Sequence, residues 1–261
     1  MGRRTSYEPG TFSWADLATT DPAGATAFYR RLFGWEAEDM PAGGGATYTM
    51  LRRDGAYVAA LYRQGDDQRD QGIPPAWTSY VTVADVDAAS ERVPALGGRV
   101  LAGPFDVLRA GRTAVIADPQ GAALALWQPR DRPGAEVVNE PGALSWNDLI
   151  TTDVEGARRF YGELLGWEVE QIPGAPYWTI RNRGARNGGM MPMPEPQRAA
   201  GMPPAWNAYF AVEDVDDALR TVQDSGGGIV VGPTAVPAGR FAVLRDPQGA
   251  VFSVLAGELD P

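Results

Sequence analysis

Two stretches, SWADLATTDPAGATAFYRRLFGWE at residues 13–36 and SWNDLITTDVEGARRFYGELLGWE at residues 145–168, say nearly the same thing. Extended to residues 9–38 and 141–170, they share 18 of 30 positions at a constant offset of 132. Three further pairs follow in the same order: PPAW at Pro74 and Pro203, DVDAA at Asp85 with DVDDA at Asp214, and DPQGA at Asp118 and Asp246. The offset falls from 132 through 129 to 128, as short loop deletions would make it, so the chain reads as a tandem duplication of one domain. The polar, Pro- and Gly-rich stretch PRDRPGAEVVNEPG at residues 129–142 reads as the joint, giving domains at 1–133 and 134–261.

The repeat also states its local structure. Residues 12–19 read as a strand. Asp21 is an N-cap with Pro22 at the first helical position. Ala25, Phe28, Tyr29 and Leu32 then fall at i, i+3, i+4 and i+7, one apolar stripe, and Gly34 ends the helix. Short strands at 35–37, 47–51 and 57–61 complete a strand–helix–three-strand module. A second module repeats the plan with a strand at 78–83, a cap at Asp85, a helix at 87–96 and strands near 99–101, 113–117 and 123–127. Duplication makes four βαβββ modules, an α+β fold of two curved sheets each enclosing a cavity. Strand residues alternate between faces. Ala15, Leu17 and Thr19 should therefore lie under the helix while Trp14, Asp16 and Ala18 face the cavity. Likewise Val81 and Val83 should pack down, and Thr78, Tyr80 and Thr82 face in. Trp35 and Trp167, just after the helices, read as core.

What is missing narrows the chemistry. The 261 residues contain no Cys and no His, and all 23 basic residues are Arg. Thiolate nucleophiles, Ser-His-Asp triads, imidazole bases and lysine Schiff bases are excluded. A net charge of -10 disfavours nucleic acid, whose phosphates call for a basic surface. Apolar runs long enough to span a membrane are absent, and MGRRTSYEPG lacks the apolar core of a signal peptide, so a cytoplasmic location is expected.

The motif D-x-x-x-A-x-x-FY-x-x-L-x-G-W after a strand, a second strand ending in DVD-A, and DP-x-G before a last strand together resemble the vicinal oxygen chelate superfamily. That family includes glyoxalase I, extradiol dioxygenases, fosfomycin resistance enzymes and bleomycin resistance proteins. Within it the chain is most similar to fused two-domain bacterial proteins of glyoxalase-like or hydroxylase type. The resemblance implies metal ligands at three places in each half. Here those places hold Trp14 and Trp146, Thr78 and Asn207, and Ala125 and Ser253. Trp and Ala offer a metal nothing, and Thr or Asn alone little. No metal and no other cofactor is expected.

Aromatic walls are expected instead. Trp14, Tyr48, Tyr80 and Trp127 in the first half correspond to Trp146, Tyr177 or Trp178, and Tyr209 in the second, with Leu255 in place of Trp127. Thr78, Asn207 and Ser253 add polar handles. Asp16 and Asp148 would supply acceptors or a general base, or else bond a backbone amide or an arginine. Two functions fit. One is metal-independent binding of a small aromatic or hydrophobic metabolite or antibiotic. The other is hydroxylase, isomerase or lyase chemistry on a polyketide-like or dicarbonyl substrate, with Asp16 or Asp148 as base and Tyr80 or Tyr209 as acid. The partner is expected to be a small molecule, and the chain an intramolecular pseudo-dimer, monomeric or weakly homodimeric.

Overall fold

Local capping chemistry starts the first helix where the repeat says it should. In the computed structural model, which describes residues 2–257, strand β1 (Phe12–Thr19) leads into helix α1 (Pro22–Phe33). The Asp21 side chain accepts a hydrogen bond from the Gly24 amide at 3.1 Å, and Gly34 closes the helix at φ 72°, a conformation that suits a residue without Cβ. Strands β2 (Glu36–Pro41), β3 (Thr47–Arg53) and β4 (Ala56–Arg63) complete the module, and a short helix α2 (Asp66–Asp70) follows. The second module comprises β5 (Ala76–Thr82), α3 (Val86–Arg92), β6 (Arg99–Val107), β7 (Gly111–Ala117) and β8 (Ala123–Pro129).

The second half repeats this as β9 (Leu144–Thr151), α4 (Val154–Leu165), β10 (Glu168–Gln171), β11 (Trp178–Asn182), β12 (Ala185–Pro192) and a short α5 (Glu195–Ala199). Its last module is β13 (Ala205–Ala211), α6 (Val215–Asp224), β14 (Gly228–Val236), β15 (Gly239–Arg245) and β16 (Val251–Gly257). Several boundaries differ from the sequence reading, strand β2 for example running to Pro41 where 37 was expected, and two of the differences have a plain physical reason. Helix α3 stops at Arg92 and a 3₁₀ turn, Pro94–Leu96, follows, because Pro94 has no N–H for the helical ladder. Strand β6 runs on to Val107, and its residues are mostly exposed, so no two-residue alternation marks it.

Each half makes one curved, open eight-stranded sheet, in the orders β2-β3-β4-β1-β5-β8-β7-β6 and β10-β11-β12-β9-β13-β16-β15-β14. Two modules meet along the antiparallel β1–β5 and β9–β13 ladders at the centre of each sheet. The helices do not finish the core within their own half. One apolar cluster joins α1 and β1 to α6 and strands β13, β15 and β16 of the second half. The other joins α3, β7 and β8 to α4 and β9 to β12. First module thus packs on fourth, and second on third.

The repeated motifs meet at these two seams. The Trp77 indole N–H donates to the Tyr29 hydroxyl at 2.9 Å, which donates to an Asp246 carboxylate oxygen at 3.1 Å. The mirror relay runs from Trp206 to Tyr161 at 2.8 Å and from Tyr161 to Asp118 at 3.3 Å. PPAW, FY and DPQG are therefore one device, a buried Trp–Tyr–Asp chain in which strand and helix of one half reach the turn of the other. Trp35 and Trp167 are core, as expected, and each also crosses over: their indole N–H groups donate at 2.7 Å to the carbonyls of Gly142 and Gly10. Among the described residues no helix is long and apolar enough to cross a membrane.

Candidate functional site

Parity along β1 and β9 decides what the concave faces carry. Ala15 and Leu17 lie in the core under α1, whereas Trp14 faces the other way, against Tyr48 and Tyr80. Between Trp14 and Ala18 stands Asp16, 2 % exposed. One of its oxygens, Oδ2, accepts the Tyr80 hydroxyl at 2.6 Å and the Tyr48 hydroxyl at 3.0 Å; the other, Oδ1, is buried without a partner. The Trp14 indole N–H donates to the Tyr48 hydroxyl at 3.1 Å, and Tyr62 stacks on Tyr48 with ring centroids 6.1 Å apart. Thr78 sits across from Asp16 in the β1–β5 register, and the Trp127 ring lies 6.5 Å from that of Tyr80. Asp16 thus takes two phenols, in place of either the arginine or the backbone amide considered from sequence.

The second half builds the same cluster with one change of geometry. Oδ1 of Asp148 accepts the Tyr177 hydroxyl at 2.7 Å and the Trp146 indole N–H at 2.9 Å, and the same indole N–H also reaches the Tyr177 hydroxyl at 2.9 Å. Tyr209 bonds Asp148 as well. Of the two residues left open by sequence, Tyr177 is the one on the site; Trp178 packs against the core. Asn207 lies directly across from Asp148, and its side-chain N–H donates to the Ser253 hydroxyl at 2.6 Å. Tyr209 and Ser253 are register neighbours and bond each other through their side chains.

Burial sets the protonation. It pushes the Asp16 carboxyl up from 3.8 to about 6, against the lowering effect of the Tyr80 and Tyr48 hydroxyls. Asp148 is raised for the same reason, opposed by Tyr177, Tyr209 and Trp146. Burial and the adjoining carboxylate hold Tyr48, Tyr80, Tyr177 and Tyr209 well above the ordinary phenol range. These phenols stay protonated and act as donors.

Two contributors carried little sequence signal. Tyr62 could have been found by parity, being two residues after Ala60, which opposes Asp16. Gly189, which opposes Asp148, was hidden in the run GGMM. A Cβ on Gly189 would collide with the Tyr177 hydroxyl and with Asp148 Oδ1. In the first half Ala60 fills that space, and the Tyr48 hydroxyl sits on Oδ2. Gly189→Ala should therefore displace Tyr177 and lower stability by about 1–3 kcal/mol, read as a drop in the thermal unfolding midpoint. An unchanged midpoint would show that Tyr177 is not held as described. The neighbouring methionines divide: Met190 is in the core, and Met191 is on the face of Gly189.

At the positions where the family resemblance implies metal ligands, the side chains offer few donors. Trp14, Trp146 and Ala125 present no lone pair there, Thr78 and Ser253 offer only hydroxyls, Asn207 spends its N–H on Ser253 and keeps Oδ1, and each aspartate accepts phenols, Asp16 through Oδ2 alone. Among the described residues no three His, Cys, Asp or Glu side chains come together in a group that could hold a metal ion.

Fold and site together define a tandem glyoxalase-type chain with carboxylate–phenol clusters on its concave faces. The family model for the Glyoxalase/Bleomycin resistance protein/Dioxygenase superfamily matches residues 11–126 and 143–254, and the chain belongs to that superfamily. It is 42 % identical over 260 residues to "Putative glyoxylase CFP32" of Mycobacterium tuberculosis, covering 98 % of each chain. It is 37 % identical over 270 residues to "Anthracycline biosynthesis protein DnrV" of Streptomyces peucetius, covering 96 % of this chain and 94 % of that one. Among solved structures, the Mn(II)-bound glyoxalase of Novosphingobium aromaticivorans superposes with a TM-score of 0.66 at 18 % identity, over 100 % of this chain and 84 % of that one. The 2,3-dioxygenase LapB of Pseudomonas sp. KL28 does so at 0.64 and 15 %, over 96 % and 93 %.

Proposed function

We propose that the protein binds a small aromatic metabolite or antibiotic on its concave aromatic surface, without a metal. The observation that carries this reading is the carboxylate–phenol–indole cluster built twice, once on each sheet face, around Asp16 and Asp148. Indole and phenol rings offer stacking walls, and the hydroxyls and carboxylate offer a few directed polar contacts, the combination that a flat organic ligand needs. A relative named for anthracycline biosynthesis agrees with a polycyclic aromatic ligand.

A second reading, an enzyme, draws on the unpartnered Oδ1 of Asp16 and on a carboxyl brought to about 6 by burial. Such a group takes a proton near neutrality more readily than an ordinary aspartate does. In a polyketide-like substrate it would accept a proton from a hydroxyl or an acidic carbon, with the protonated Tyr80 or Tyr209 donating to a substrate oxygen.

Native mass spectrometry of protein purified from its own cells, compared under gentle and denaturing conditions, tests the primary reading. The expected result is a small organic adduct and no transition metal. A stoichiometric metal would overturn the metal-free reading.

A further inference from the structure

The two concave faces begin from one sequence and end differently. At the first, residues 134–138 run as an irregular segment hydrogen-bonded between β1 and β4. The Ala135 N–H donates to the Ser13 carbonyl at 2.7 Å, the Glu136 N–H to the Tyr57 carbonyl at 2.7 Å, and the Tyr7 hydroxyl to the Ala135 carbonyl at 2.5 Å. Ala135 and Val138 pack on Trp14 and Ala60, leaving Trp14 8 % exposed. Trp127 ties down the same segment by donating its indole N–H to the Arg132 carbonyl at 3.0 Å. In the second half the counterparts of Trp14, Ala18 and Trp127 are Trp146, Ile150 and Leu255, and all three are partly exposed.

The polar groups differ as well, although each face keeps one buried acceptor without a partner, Asp16 Oδ1 on the first and Asn207 Oδ1 on the second. Thr78 and Ala125 of the first half are replaced by Asn207 and Ser253. Asn207 is 7 % exposed, and while its N–H group is spent on Ser253, its carbonyl oxygen Oδ1 is buried without a donor. A buried acceptor left unpaired destabilises the protein, and a ligand hydroxyl or amine would satisfy it. The acceptor stands beside Asp148, Tyr209 and the half-open Trp146 ring, whose indole N–H is held by Asp148 and Tyr177.

We infer that the second half is the one that takes ligand, and that Asn207 Oδ1 selects aromatic ligands presenting a hydroxyl or amino donor; in the first half Trp14, Ala18 and Trp127 are buried, with Ala135 and Val138 of the interdomain segment packed on Trp14. This inference rests on the aromatic-ligand reading above.

The methionines make the two halves separately visible. Met50 lies in the cluster of the first face, and Met191 on the second. Protein carrying ¹³C-methyl methionine is titrated with anthraflavic acid, an anthraquinone with free phenolic hydroxyls, and with unsubstituted anthraquinone. The expected result is a shift of the Met191 methyl signal with Met50 unmoved. Asn207→Ala should then loosen anthraflavic acid about tenfold, the loss of one buried hydrogen bond, and leave anthraquinone within about twofold. Asn207→Thr, which installs the first-half residue, serves should the alanine variant not fold. A shift at Met50 in place of Met191, or equal loosening of both compounds, would overturn the inference and leave the binding reading standing. If neither compound binds, both fall.

Discussion

Replacing Trp35 with alanine is expected to lower the free energy of unfolding by about 3–5 kcal/mol. The residue is 1 % exposed, and its ring centroid lies 4.7 Å from Phe33, 5.6 Å from Tyr29 and 5.4 Å from Phe210, the last of these in the other half. Truncation would leave a cavity between halves and strip the Gly142 carbonyl of its indole donor. Because one core is shared across the seam, the whole chain should still unfold in a single, shifted transition in urea. Trp35→Phe should cost less, keeping the ring contacts and losing the hydrogen bond. A loss below about 1 kcal/mol for the alanine variant would mean that this seam does not hold the halves together.

Stability should fall as the pH rises from about 4 through 6, and Asp16→Asn should blunt the fall. The folded-state carboxyl titrates at about 6, above its ordinary 3.8. The folded protein therefore prefers the neutral form. That contribution is fully present below about pH 4 and is lost as the pH rises through 6. The difference corresponds to about 3 kcal/mol. Burial shifts Asp148, Asp118 and Asp246 in the same direction, so their contributions add with the same sign. An asparagine at position 16 cannot ionise, but its amide would inherit the unpartnered place of Oδ1, offsetting about 1–2 kcal/mol of the gain. The variant should therefore be the less stable protein near pH 4 and the more stable near pH 8, as measured by urea unfolding. Parallel pH profiles would refute the assignment. A carboxylate retained at such a cost to stability is what a binding or proton-accepting role would require.

Much of this architecture could be read from single residues. Asp21, Pro22 and Gly34 each carry a local rule, and the strand alternation around Trp14 and Asp16 is strict because one face is core. The six residues Ala102–Val107 of β6 were missed because their exposed strand edge imposes no pattern. At the site, the types of residue were legible and the partners were not. Nothing in the sequence says that Tyr29 of one half ends on Asp246 of the other, or that Gly189 makes room for Tyr177. The stretch at 129–142 was the most misleading in character. Its composition is that of a flexible joint, yet part of it is hydrogen-bonded between β1 and β4 and laid over Trp14.

The exchange of partners between modules also bears on the order in which the chain can fold. Helix α1 and Trp77 emerge from the ribosome early, but the turn at Asp246 and the rings of Phe210 and Phe252 that cover them are made about 130 to 220 residues later. Contacts so distant in sequence form slowly, and until they form the first half must hold an aromatic face open to solvent. Synthesis from the N-terminus therefore passes through an interval in which half the protein exists with its seam uncovered. The module pairing thus ties the covering of the first half's aromatic face to completion of the second half.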